Sequence, residues 1–341
     1  MTYSFGPKLN GQAGTQVSHG SVQPNMYQHG NLQGNRVQMQ PPMQPNSQKP
    51  SKKQKRKGGA WRVVFILAIV VLACALGGLG WLLFTYWNGQ NEYTKLSDEN
   101  FTINDSSGVT TLGSFDVDWD ALRAINPDVV GWVYVPGTNI SYPICWRKND
   151  DKYYLKHNFG QNSVGDFGAE YGCIMLAGVN SPDWTDQVNV IYGHHMANGT
   201  MFATLGDFAW SDELFNQLRT FYVLTPEGNF RTTSFAVDKV PGSSTDIVIP
   251  DFDSMQDFHD YVQKRIDTST VNPDPPAPPV DDIKQVFAFS TCSYPDVNYR
   301  IVTFCSVDEF LPAGSTVSQG NSLVDQGDIE SVEGAIAERL L

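Results

Sequence analysis

What this sequence has little of narrows it first. Across 341 residues there are five cysteines, Cys74, Cys145, Cys173, Cys292 and Cys305, and no two stand in a CxxC spacing. That excludes the usual cysteine-based zinc site, and the scatter gives no disulfide framework. The first 87 residues contain no Asp or Glu. Basic residues are scarce beyond them. Nine of the 23 Lys and Arg fall in those 87 positions, which leaves 14 against all 36 acidic residues, a net −22. That balance carries no basic footprint for nucleic acid on the folded part. Apolar clusters are missing from residues 1–60, which are rich in Gln, Asn, Gly, Pro and Met. Such a segment cannot bury enough surface to offset chain entropy and is expected as a disordered, basic cytoplasmic tail. Its His19 and His29 lie in no metal spacing. No internal repeat is found.

One long apolar run is present. Residues 63–84 (VVFILAIVVLACALGGLGWLLF) are 22 consecutive uncharged positions, and about 20 suffice to cross the hydrocarbon core as a helix. Lys52, Lys53, Lys55, Arg56, Lys57 and Arg62 precede it, and Trp61, Trp81, Tyr86 and Trp87 sit near its ends. Basic residues favour the cytoplasmic side, and aromatic rings favour the interfaces. Residues 61–87 are therefore expected to be a transmembrane signal-anchor helix that puts everything from about residue 88 outside the cell. A cleaved signal peptide fits poorly, because the run is too long and begins some 60 residues in.

Beyond the span, residues 88–113 are polar and are expected as a stalk. Residues 118–126 (DWDALRAIN) place Trp119, Leu122 and Ile125 at helical spacing before Pro127. Strand patterns follow at 129–135, 140–145, 172–177, 187–192, 219–224, 232–240, 285–291 and 299–307, most of them short, β-branched or aromatic and bounded by Gly, Pro, Asn or Asp. Helical patterns cover 201–208 and 254–266, the second with Phe258, Tyr261, Val262 and Ile266 on one face. The proline-rich 273–279 can only be loop. The sum is a mainly β domain, an antiparallel barrel or sandwich with a few helices. Residues 313–341 are expected as an acidic tail, with one helix over 329–341.

Three local patterns carry chemistry. Asn189-Val190-Ile191-Tyr192-Gly193-His194-His195-Met196 puts histidine at the end of an apolar strand. Val286-Phe287-Ala288-Phe289-Ser290-Thr291-Cys292 puts cysteine at the end of another. Tyr299-Arg300-Ile301-Val302 opens a third with arginine. Strand ends beside loops hold reactive groups rigidly within reach of substrate. Amide cleavage through a covalent intermediate needs a nucleophile such as a cysteine thiolate. A histidine can lower the thiol's effective pKa and protonate the leaving amine. A fixed guanidinium, always charged, suits the oxyanion. Cys145, Cys173 and Cys305 are expected as core; whether Cys145 and Cys173 pair stays open, since geometry decides it.

These pieces together resemble the sortase family. YGHHM, FSTCSY and YRIV are similar, in this chain order, to its three signature segments. Residues 121–143 (ALRAINPDVVGWVYVPGTNISYP), 153–159 (YYLKHNF) and 199–208 (GTMFATLGDF), with the helix at 254–266, are similar to the class B branch. The match covers about residues 114–310, giving a catalytic domain over 114–312. The resemblance implies a sortase-like closed β-barrel and a cysteine transpeptidase that cleaves a C-terminal sorting motif of secreted proteins through a Cys292 thioester. It implies His194 as general acid, with His195 as the alternative, and Arg300 as the oxyanion group. Ser290, Thr291 and Tyr192 are candidate substrate or oxyanion residues, and His157 is expected to be structural. The acceptor is an amine of a cell-wall precursor, or of a pilin. No metal or organic cofactor is implied. A hydrolytic cysteine peptidase and a non-catalytic surface-binding module are the rival readings. Phe289 and Ser293 depart from the residues usual in the family at those places, with Asp296 a partial substitute for the second.

Overall fold

The computed structural model describes residues 58–104, 110–161, 171–293, 296 and 298–315. Residues 1–57 of the tail expected over 1–60, and the helix expected over 329–341, lie outside them, while residues 58–60, expected in that tail, already belong to the first helix. The first element is one long helix, α1 (Gly58–Asn100). Its apolar half is covered by no other described residues; Val63, Leu67, Val71, Leu79 and Leu83 are each more than half exposed. Such a surface suits lipid, and this helix is long and apolar enough to cross a membrane. Residues 88–100, expected as a stalk, continue the same helix and dock on the domain. Tyr93 and Leu96 are buried, the Tyr171 hydroxyl donates to the Tyr86 carbonyl at 2.9 Å, and Asn158 donates to Glu92 at 2.6 Å. Composition reads residues 88–100 as polar because only one face of the helix is buried.

After α1, strand β1 (Phe101–Ile103) pairs antiparallel with β2 (Phe115–Val117). Helix α2 (Trp119–Ile125) is capped by the Asp118 carboxylate, which accepts from the Ala121 N–H, the usual way to satisfy an orphan helix donor. Leu122 is its buried residue, whereas Ile125, expected on the same face, is 48% exposed. Eight strands then close a barrel: β3 (Val129–Tyr134), β4 (Ser141–Cys145), β5 (Ile174–Leu176), β6 (Val188–Tyr192), β7 (Thr220–Thr225), β8 (Gly228–Pro241), β9 (Val286–Cys292) and β10 (Tyr299–Pro312), in the spatial order β10-β8-β7-β3-β4-β5-β6-β9. Closure leaves no free sheet edge. The fold is thus mainly β, as the strand patterns indicate, although β8 and β10 are longer than their patterns suggested. Fully buried Trp132, Phe221, Phe287 and Phe289 fill the interior, with Phe221 stacked on Phe289 at 4.8 Å between ring centroids.

Two short helices, α3 (Ala203–Phe208) and α4 (Asp212–Gln217), bridge β6 and β7. The second was not expected from its polar sequence; Ser211 caps it by accepting from the Leu214 N–H, and Phe215 anchors it in the core. Helix α5 (Met255–Thr268) packs Phe258, Tyr261 and Val262 against the barrel. Arg265, in its last turn, is buried and paired with Asp238 of β8 at 3.1 Å. Burial pushes the Asp238 carboxyl up, against the pull of Thr268 and Arg265.

Candidate active site

Strand direction decides which residues meet. Strand β6 runs parallel to β9, with Tyr192 opposite Ser290, so the C-terminal ends of both strands lie at one end of the barrel. Strand β10 runs antiparallel to β9, with Arg300 opposite Cys292, so its N-terminal end joins them. The residues beyond Tyr192, the end of β9 and the start of β10 therefore share one rim, although they come from positions 193 to 300.

On this rim Cys292 and Arg300 are both half-buried. Arg300 Nη1 lies 3.9 Å from Cys292 Sγ. The guanidinium also sits 6.0 Å from the centre of the Tyr192 ring. Burial, and behind it the negative charge of Asp151, push the Tyr192 phenol up to about 12, against the pull of Arg300. Tyr192 is thus a neutral wall of the rim at ordinary pH.

The two histidines point to opposite sides, as neighbours on an extended chain must. His195 donates from Nδ1 to the main-chain carbonyl of Cys292 at 3.0 Å. Its ring lies against α3, where a Cβ on Gly206 would fall 2.3 Å from Nδ1; glycine is what lets the ring in. His194 donates from Nε2 to the Leu155 carbonyl at 3.0 Å. A carbonyl can only accept, so neutral His194 keeps its lone pair on Nδ1. Its ring rests on Gly172, where a Cβ would lie 2.9 Å from Nε2. Gly172 has φ +56°, a left-handed conformation that other residues adopt at a cost. Sequence reasoning picked out both histidines but missed the groups that aim them, Leu155, Gly172 and Gly206. A carbonyl leaves no mark in the side-chain pattern, and only glycines flanking such motifs could have hinted at the close packing.

The remaining candidates divide. The Ser290 carbonyl accepts from the Gly193 N–H at 3.0 Å and so pins the histidine turn to β9. The hydroxyls of Ser290, Thr291 and Ser293 are buried and have no hydrogen-bond partner among the described residues. Asp296 pairs with Lys239. His157 stacks flat on Tyr153 with 3.9 Å between ring centroids and bonds the Tyr153 carbonyl at 2.8 Å, a structural role. Cys305, Cys145 and Cys173 are buried. Among the described residues no group of three or more His, Cys, Asp or Glu is placed to hold a metal ion.

The eight-stranded closed barrel defines the class of fold, and comparisons with known proteins bear on its family. No family model matches the chain. Sortase B of Listeria monocytogenes is 31% identical over 202 residues, spanning 58% of this chain and 78% of that protein. A mutant form of Clostridium perfringens sortase B is 27% identical with a TM-score of 0.50, covering 56% of this chain and 86% of that one. Sortase B from Bacillus anthracis, in complex with AAEK1, has the same fold at 24% identity, with a TM-score of 0.53 and coverage of 66% and 98%. The chain belongs to the sortase family and is similar to its class B.

Proposed function

We propose that this protein is a transpeptidase anchored by α1, with Cys292 as nucleophile, His194 as general acid and Arg300 as the oxyanion group. The observation that carries this reading is Arg300 Nη1 at 3.9 Å from Cys292 Sγ, on strands held in register. Sortase-type function is what its relatives support; the substrate, acceptor and residue roles are our reading.

In that reading, a secreted protein presents a short C-terminal sorting motif along the rim. The Cys292 thiolate attacks a backbone carbonyl carbon, and the oxygen gains a negative charge that the Arg300 guanidinium meets with fixed N–H donors. The C–N bond breaks as His194 delivers a proton to the leaving amine. An acceptor amine, from a cell-wall precursor or a pilin, then attacks the thioester, its N–H proton passes to His194, and the C–S bond breaks to release Cys292 as the thiolate. Ser290, Thr291 and Tyr192 lie in this region and contribute shape; Ser290 and Thr291 bring buried hydroxyls without a partner among the described residues. In the same reading the domain stands on the outer face of the membrane, an orientation that the basic residues before the apolar helix support. One observation favours a second reading for the acid: His195, not His194, is the histidine bonded to the main chain of Cys292.

The test uses the full chain in detergent with quenched sorting-motif peptides and an amine acceptor, products being read by mass. Amine-joined product that vanishes in Cys292→Ala and His194→Ala and survives in His195→Ala is the expected result. Loss in His195→Ala with retention in His194→Ala exchanges the two roles. Cleavage without joined product makes the protein a hydrolytic peptidase. No cleavage by folded protein leaves a binding module.

A further inference from the structure

The core holds two thiols that this reaction does not use. Cys145 ends β4, and Cys173 lies just before β5. These two strands are neighbours, with Cys145 opposite Met175. Both cysteines are buried, at 0% and 3% exposure. Their sulfurs lie 3.5 Å apart. The Asn126 amide donates to Cys145 Sγ at 3.4 Å, and the Cys173 sulfur also approaches the Pro143 carbonyl at 3.8 Å. A disulfide bond is about 2.05 Å long, so the two sulfurs need close only roughly 1.5 Å more.

We propose that Cys145 and Cys173 form an intramolecular disulfide in the folded protein. Side chains that already meet in the core supply the geometry. The surroundings suit the product: a disulfide has no S–H donor to satisfy and packs as an apolar group in the core cluster that holds both cysteines and Met175. Oxidation breaks both S–H bonds and forms the Sγ–Sγ bond. Two protons leave to solvent, and two electrons reduce a disulfide oxidant, of low molecular weight or an oxidoreductase, to two thiols. Burial raises the Cys145 thiol well above its ordinary value, which disfavours attack by its thiolate once the core is packed. The bond therefore forms while the chain is folding, and the closed core then shields it from reductants.

The consequence reaches the rim. The bond joins positions 28 residues apart and fixes Cys173, whose N–H donates to the Tyr154 carbonyl at 2.8 Å. Gly172, the next residue back, supports the His194 ring, and its carbonyl accepts from the Tyr93 hydroxyl of α1. The disulfide thus staples the backbone under His194 to strand β4. That an oxidant is at hand in the cell rests on the outward orientation proposed above; the pairing itself does not.

The test needs no variant. The full chain is synthesised cell-free into detergent with glutathione disulfide in excess over glutathione, so that it folds in the presence of the oxidant, then denatured in iodoacetamide and weighed intact before and after reduction. The expected result is two fewer alkyl groups than the five cysteines allow, all five being modified after reduction, with digestion giving a linked peptide pair containing Cys145 and Cys173. Five alkylated cysteines without reduction, or a linkage that involves Cys292 or Cys305, overturns the proposal. The readout is covalent, so its failure is distinct from a failure of the transpeptidase reading, which is an activity.

Discussion

The rim has two walls built in different ways. One is Cys292 and Arg300, on strands that are adjacent, antiparallel and joined by the short connection between positions 292 and 300. The ladder itself sets their distance, so few other residues are needed. The other wall is His194 and His195, on a turn after β6. These rings are aimed by a carbonyl at Leu155, close approaches at Gly172 and Gly206, and the Cys292 carbonyl. The first wall depends on local pairing and the second on contacts up to 97 residues apart. A ladder tolerates changes around it, whereas a ring wedged against glycine does not.

The comparison can be broken at several points. On the ladder wall, Arg300→Lys keeps the charge and loses the planar fork. We expect kcat/KM to fall by about 10²–10³ while the thermal midpoint barely moves. A drop in midpoint as large as that of a core variant would show that Arg300 is structural.

On the histidine wall, stability and activity are expected to move together. Gly206→Ala puts a methyl group where the His195 ring lies. It should cost about 1–3 kcal/mol in urea unfolding, the usual penalty for overpacking. The same substitution made in His195→Ala should cost much less. An equal cost in both backgrounds would mean that the clash is with something other than the imidazole.

A smaller effect is expected at Tyr93, which links the anchor helix to this wall. Its hydroxyl donates to the Gly172 carbonyl and accepts from the Phe159 N–H at 3.2 Å. Tyr93→Phe leaves both groups unpaired in the core and should cost about 1–3 kcal/mol, with kcat/KM falling less than about tenfold. No change in either measurement would detach α1 from the site.

The smallest effect serves as a control far from both walls. Asp246 bonds Lys264 at 2.7 Å and Arg265 at 3.1 Å. The Lys264 bond, then Arg265, hold its carboxyl below the usual range despite partial burial. A carboxyl depressed in the folded state contributes stability above its unfolded value and loses it as pH falls through the folded one. Asp246→Asn should therefore lower the urea midpoint at neutral pH by no more than about 1 kcal/mol equivalent, since Asp246 and Lys264 are about half exposed and buried Arg265 keeps Asp238 as its partner. That difference should shrink as pH drops below about 4. A gap that widens in acid would reverse the sign of the argument.

Much of this was legible in the residues. The uncharged run at 63–84 marks its helix because crossing hydrocarbon demands length and apolarity and nothing else. The strand patterns located all eight barrel strands because short β-branched or aromatic runs bounded by turn residues are local signals. Cys292, Arg300 and the paired histidines stood out because each ends or opens such a strand. Residues 88–100 were misread, since a helix that buries a single face against a domain keeps a polar average. Ile125 was misread because helical spacing names a face but not the neighbour that covers it.

The sequence by itself determined the residue types available for chemistry, the mainly β class and the apolar helix, since these follow from composition and short-range periodicity. The tertiary structure alone decided that β6 and β9 run parallel, that their ends share a rim with the start of β10, which histidine touches Cys292, and that Cys145 and Cys173 meet. Each of these depends on the direction and register of strands far apart in the chain, and no local pattern carries that information.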